Sequence, residues 1–237
     1  MKNIVHRATD RGSANHGWLI ANHSFSFGSY HDMDKVHFGA LRVLNDDIIA
    51  GGCGFPTHPH DNMEIVTIPL KGALQHKDST GGNGIIKAGD VQIMSAGTGV
   101  RHSEFNASET DEVNLFQCWL FPKLRNIAPR YDQRSFNEAD RINQWQTVVS
   151  PIQSDDALWI NQDARFLLSN ITANHSLEYK NAFVGNGVYM MVINGAVKVQ
   201  DILLGARDAI GIWDFEQINI TATEHASILA IEVPMNY

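Results

Sequence analysis

Two short patterns carry the residue types from which a metal site is built. His58-Pro59-His60 is followed by Glu64, and His102-Ser103-Glu104 comes much later in the chain. In an extended strand, residues i and i+2 point to the same face, so each pattern aims two ligand-type side chains one way. Two such strands facing each other would bring three imidazoles and one carboxylate, His58, His60, His102 and Glu104, to a single point. Neutral imidazole and carboxylate are ligands for borderline divalent metals. On an octahedral ion this set leaves positions free for a bidentate substrate, or for substrate and dioxygen. In closed tetrahedral form the same ligands would suit a structural zinc.

Neighbouring residues favour the open arrangement. Pro59 cannot donate to a strand ladder, which places His58 and His60 at a sheet edge or bend. Gly97 and Gly99 mark a permissive turn before His102, where backbone can approach a ligand closely. Asp61, Asn62, Gln92 and Asn106 are available to fix imidazole tautomers. Glu64 has three readings: metal ligand, proton-transfer base beside the metal, or hydrogen-bonding group. Cys53 has no cationic neighbour to lower its pKa and reads as a small buried residue. His6, His16, His23, His31, His37, His76, His175 and His225 lack comparable partner spacing and are assigned structural or exposed roles.

The elements that must position these residues are strands. Turn residues recur about every ten positions between runs rich in Val, Ile, Leu and Phe, which indicates an all-β fold of barrels or sandwiches. Expected strands include 40–45, 63–70, 72–78, 90–94 and 114–121. Aromatics of the opening segment, Trp18, Phe25 and Phe27, are expected to plug a barrel end rather than touch a ligand. The polar stretch from Pro122 to Trp145 reads as a connection with one helical turn.

The second half repeats the first. Val66 to Leu74 aligns with Tyr189 to Val197, and Ala88-Gly89-Asp90-Val91 aligns with Ala206-Arg207-Asp208-Ala209. The chain therefore divides into a metal-binding barrel (1–122), a connection (123–146) and a second barrel (147–237) whose last strands are free to pair across domains. Carrying the repeat through places Asn181 and Phe183 at His58 and His60, and Ile220 and Ala222 at His102 and Glu104. No ligand type survives, so only the N-terminal barrel is expected to hold metal.

Composition bounds the partners. Among 237 residues, 18 Lys and Arg stand against 26 Asp and Glu, for a formal net charge of −8. An acidic chain without a dense basic run disfavours direct nucleic-acid binding. The two cysteines make no disulfide framework and fit a reducing compartment. The N-terminal residues lack a signal-peptide core, and no apolar stretch is long enough to span a bilayer. A cytoplasmic monomer with no membrane association is the expectation.

The motifs resemble a known family. Gly52, His58-Pro59-His60, Glu64 and Gly72 resemble the first cupin motif, and Gly89 through Gly97, His102 and Asn106 the second. Ser95 stands where a proline is usual, and Glu104 follows its histidine, whereas the general pattern takes its glutamate from the first motif. This variant is similar to the pirin family. So are His16-Gly17-Trp18-Leu19, His23 to Gly28, Leu41 to Asp47, Pro129-Arg130-Tyr131 and Asn161 to Arg165. The likeness spans nearly the whole chain and extends to bacterial pirin-like proteins described as quercetin 2,3-dioxygenases.

The resemblance implies a bicupin with two jelly-roll-like barrels. One divalent metal, Fe(II) first, with Mn, Ni, Co, Cu or Zn as alternatives, would sit in the N-terminal barrel on His58, His60, His102 and Glu104. It implies dioxygen-dependent cleavage of a flavonol's heterocyclic ring with release of carbon monoxide. Glu104 or Glu64 would take the proton of the flavonol 3-hydroxyl. The small-molecule partners are then an aromatic substrate and dioxygen, with another enol or catechol as the cellular substrate if quercetin is a surrogate. The alternative is a metal-containing regulatory pirin that binds a protein partner without turnover.

Overall fold

The computed structural model describes residues 1–153 and 155–237. Its strands are β1 (Lys2–His6), β2 (Gly12–Asn15), β3 (Leu19–His23), β4 (Leu41–Ile49), β5 (Gly54–His60), β6 (Glu64–Lys71) and β7 (Ala73–Asp78). There follow β8 (Asn83–Lys87), β9 (Asp90–Ser95), β10 (Val100–Asn106), β11 (Val113–Leu120) and β12 (Arg130–Ser135). The second half contributes β13 (Gln146–Ser150), β14 (Leu158–Trp159), β15 (Arg165–Ile171), β16 (Ser176–Tyr179) and β17 (Asn186–Asn194). It ends with β18 (Val197–Val199), β19 (Ile202–Leu204), β20 (Ala209–Trp213), β21 (Ile218–Ala222) and β22 (Ala226–Pro234). No helix among the described residues is long and apolar enough to cross a membrane.

Each half is a seven-stranded sheet facing a four-stranded one. The first pairs β12-β9-β6-β11-β4-β3-β2 with β5-β10-β7-β8; the second pairs β1-β20-β17-β22-β15-β13-β14 with β16-β21-β18-β19. The large sheets pack against each other. Val66, Ile68, Ile93, Phe116 and Cys118 from one meet Phe166, Leu168, Tyr189, Met191, Leu229 and Ile231 from the other. Strands β6, β11, β17 and β22 are therefore buried on both faces, which is why they read as nearly continuous apolar runs.

The halves are less cleanly divided than residues 1–122 and 147–237 suggest. β1 pairs with β20, so the first strand of the chain belongs to the second half's sheet. The stretch expected to be a connection contains β12, which pairs with β9 at the edge of the first sheet, before a 3-10 turn at Glu138–Arg141. Its polar sequence suits an edge strand with one solvated side.

The repeat register also shifts. Gly72 and Gly195 both take φ of 75° at equivalent turns. From there, Val197 pairs with Ala222 as Leu74 pairs with Asn106. Ile218 and Ile220 thus stand at His102 and Glu104, two residues earlier than the expected Ile220 and Ala222. Tyr179 faces Ile218 as His58 faces His102. Asn181 and Phe183 fall in the turn after β16, which is longer than the turn after β5. Linear counting across turns of unequal length caused the error.

Candidate metal centre and its cavity

β5 is an edge strand, as Pro59 requires, and β10 lies beside it. His58 pairs directly with His102, and His60 with Val100. His58, His60 and His102 bring ligand atoms within 4.8 Å of one another. The ring nitrogens His58 Nε2 and His102 Nε2 lie 2.9 Å apart. His58 Nδ1 lies 2.8 Å from the Pro56 carbonyl, so it carries the hydrogen and leaves Nε2 with a free lone pair. Burial, and then the neighbouring histidines, depress His102 to about 2 and His60 to about 4. Neutral imidazoles with lone pairs converging on one point are the donor set a divalent cation requires.

Glu104 lies next to this cluster, two residues along β10 from His102, and lines the same cavity. It forms a second group within 4.8 Å with His102 and His76. The Gln117 side-chain amide donates to both carboxylate oxygens, at 3.0 and 3.2 Å. Burial still lifts Glu104 to about 7. His76 Nε2 is bonded to Asp78 at 2.9 Å, and its Nδ1 is buried without a partner, as is Nδ1 of His102. His76 is thus buried, held by Asp78 and stacked on Tyr131, next to His102 and Glu104 but outside the cavity lining.

Glu64 does not reach this point. Thr67 faces the barrel interior, where its hydroxyl donates to Gln117. Glu64, three residues earlier, lies on the opposite face of β6 and turns toward the other half. There it accepts from the Ser95 hydroxyl at 2.8 Å and the Asn161 amide at 3.1 Å. Glu64 is in neither cluster of ligand atoms and does not line the cavity.

Two of the residues expected to orient the imidazoles are engaged elsewhere. Asn106 donates to the Ile49 and Asp111 carbonyls, and Asn62 bonds Asn126. Gln92 is buried with both amide atoms unpaired. The close approach at Gly97 is to the Ile127 carbonyl rather than to a ligand.

A cavity of about 660 Å³ opens from the metal group between the edges formed by β2 and β5. Trp18, Leu19, Phe27, Phe55 and Trp119 give it apolar walls, and Asn45, Asp47 and His23 add polar groups on the large sheet. Trp119 meets the His60 ring edge-on, with centroids 4.8 Å apart. Trp18 and Phe27 thus line the ligand space instead of plugging a barrel end, while Phe25 is core. A volume of this size, mostly apolar with a few convergent polar groups, is typical of a small-molecule site.

Spacing does not point to Gln117, Asn45 or His23. One signal was available: each is a polar residue at an inward position of a strand whose other inward residues are largely apolar. His76 and Asp78 also share the i, i+2 spacing used to find the histidine pair.

Comparison with known proteins agrees with this architecture. The Pirin family profile matches residues 5–120, and a profile described as the quercetinase C-terminal cupin domain matches 147–233. The Escherichia coli quercetin 2,3-dioxygenase is 40% identical over 234 residues, covering 97% of this chain and 98% of the relative. The chain belongs to the pirin family. A pirin-like protein of Caulobacter vibrioides is 43% identical over 222 residues, covering 93% of this chain and 95% of its own. The crystal structure of a bacterial pirin from Escherichia coli in complex with nickel(II) superposes with a TM-score of 0.93 at 39% identity, covering 98% and 99% of the two chains. The two halves of this pirin are cupin domains, and its histidine and glutamate group suits a divalent metal.

Proposed function

We propose that this pirin is a metal-dependent dioxygenase that opens the heterocyclic ring of quercetin-like flavonols with dioxygen and releases carbon monoxide. The observation that carries the reading is that three clustered imidazoles, His58, His60 and His102, and the adjacent Glu104 all line one aromatic-walled cavity. His58, His60, His102 and Glu104 would hold the metal, with Fe(II) the first choice. A bound divalent ion supplies Lewis acidity and a template for two oxygen-bearing reactants.

The rest falls to the chain's own residues. Trp18, Phe27, Phe55 and Trp119 offer faces and edges against which a flat aromatic ligand is held and water is excluded. Burial raises the Glu104 carboxyl to about 7 in the metal-free site, and a bound cation would favour its ionised, proton-accepting form. It is the group placed to take the proton of the flavonol 3-hydroxyl, and Gln117 holds it in position. Glu64, which does not line the cavity, is the less suited of the two carboxyls for that role.

The supporting names of relatives include quercetin 2,3-dioxygenase, with near-complete mutual coverage. A purely regulatory role would leave unexplained why the metal group faces an aromatic-walled, ligand-sized cavity. The test is protein reconstituted with Fe(II), Mn(II), Ni(II), Co(II) or Cu(II) and supplied with quercetin. Oxygen consumption with matching carbon monoxide release is expected, and no turnover with any of these metals overturns the proposal.

A further inference from the structure

Asp46 and Asp47 are adjacent on β4 and have opposite fates. Asp46 faces the second half, where Arg207 Nε at 2.8 Å and Arg11 at 3.3 Å pair with its carboxylate and Asn114 donates to it. Asp47 faces inward, on the same side as Asn45, and lines the cavity. It is only 4% exposed. Oδ1 is buried with no partner among the described residues. Its cross-strand neighbours, Ala21 and Leu115, are apolar. Both nearby arginines are spent on Asp46.

An ionised carboxylate in such a place would be unpaired and poorly solvated, which is prohibitively costly. Burial first, then the charges of Asp46 and Glu104, push Asp47 up to about 8. The neutral acid keeps an O–H, and Oδ1 finds no hydrogen-bond partner among the described residues. The cavity is where an acceptor can arrive.

We propose that Asp47 is a second recognition point of the cavity, a carboxylic acid that donates a hydrogen bond to an acceptor oxygen of the bound ligand. It does so from the large sheet, across the cavity from the strands that carry His58 and His102. The inference rests on the reading of this cavity as the ligand site and deepens it. The ligand class is an aromatic that carries two oxygen functions, one facing the metal group and a carbonyl or phenolic oxygen facing β4. A site built to hydrogen-bond a ligand oxygen discriminates against analogues that lack it, because its own polar group is then left unpaired.

Two variants of similar size separate donation from shape. Asp47→Leu removes the donor, and Asp47→Asn restores one. Quercetin is titrated anaerobically into the Ni(II)-loaded proteins by calorimetry, and KM and kcat are measured in air. Asp47→Leu is expected to weaken binding about tenfold or more, the worth of one buried hydrogen bond. The loss appears in KM more than in kcat, and Asp47→Asn recovers most of it. Nickel content stays at the wild-type level in both, which also reports that the barrel is folded. Wild-type affinity in Asp47→Leu, beside normal wild-type turnover, overturns the role of Asp47 alone. Failure of the wild type both to bind quercetin and to turn it over overturns the flavonol reading and this inference with it.

Discussion

The two barrels share a scaffold and differ in what fills them. In the first, five inward positions on adjacent strands form a polar row. Gln92 pairs with Thr67, Thr67 with Gln117, Gln117 with Asn45, and Asn45 with His23. The turn at Gly72 and Gly195 fixes the equivalent row in the second barrel as Ile210, Met190, Ala230, Leu167 and Thr147. There the interior joins one continuous apolar core that includes Ile218, Ile220, Val192 and Ile228. In the first barrel, apolar packing is confined to two small clusters, one around Ile49 and Leu115 and one around Ile65 and Met94. The site occupies the space between them.

The openings differ in the same sense. Where His58 faces His102, Tyr179 faces Ile218, and its hydroxyl donates to Glu232 at 3.0 Å. Glu232, at the position equivalent to Trp119, also accepts from the Ala182 and Phe183 amides and from Asn186. A saturated carboxylate has no capacity left for a metal or a ligand. One barrel gives up core for chemistry, and the other, together with the core between the large sheets, supplies stability.

Breaking the metal group should give the largest effect. His58→Ala or His102→Ala is expected to cut metal affinity by more than the ~10–100-fold typical of losing an outer partner. Elemental analysis of protein purified without chelators measures it, and Tyr179→Phe in the other barrel should leave metal content unchanged. Retained stoichiometric metal in both histidine variants would remove the basis for a metal centre here.

Moving the polar row into the second barrel tests the other side of the comparison. Ala230→Gln places an amide at the position of Gln117, in a tightly packed apolar interior with no partner for it. Overpacking and an unsatisfied polar group together predict a loss of about 2–4 kcal/mol, read from urea denaturation. Metal content should not change.

The contact between the halves carries a pH signature. Glu64 is lifted to about 7 by burial, against the opposing hydrogen bonds from Ser95 and Asn161. A folded-state pKa above the unfolded value means that the folded protein binds the proton more tightly. The resulting stability is fully present below about pH 4.5, the ordinary carboxyl value, and is lost as pH rises through about 7. Glu64→Gln should remove this dependence, so the variant gains on wild type between pH 5 and 8 by about 1–3 kcal/mol in thermal or denaturant melts. Its kcat with quercetin should match wild type, since Glu64 faces away from the cavity; a large fall would restore it as a candidate base.

Much of this was legible in the chain. His58, His60, His102 and Glu104 could be found because two ligands two residues apart on a strand are a local pattern, and Pro59 marks the edge. The family likeness added the pairing of distant strands that spacing cannot give. The polar row was hidden because each member sits alone on its own strand, and only the sheet register assembles it. Glu64 was ambiguous because the face of a strand is decided by residues such as Thr67, whose partner Gln117 lies fifty residues away in sequence. The role of β1 was hidden for the same reason, since its partner β20 lies at the far end of the chain.

Gln117 gives the finest test of the comparison, because it belongs to the row yet is not a ligand. Its amide donates to both oxygens of Glu104 and its carbonyl accepts from Thr67, so it is held rigidly between a strand of the large sheet and the metal group. Gln117→Leu keeps the volume roughly and removes both functions. Were the row structural, its loss would destabilise the barrel through unpaired Thr67 and Glu104. If instead it exists to present Glu104, an apolar residue should make the interior more like that of the second barrel, with little net change in the denaturation midpoint. Metal affinity should fall about tenfold, the usual cost of losing a partner that orients a ligand. A variant that melts several degrees lower with unchanged metal affinity would show the row to be core, and would erase the distinction between the two barrels at this position.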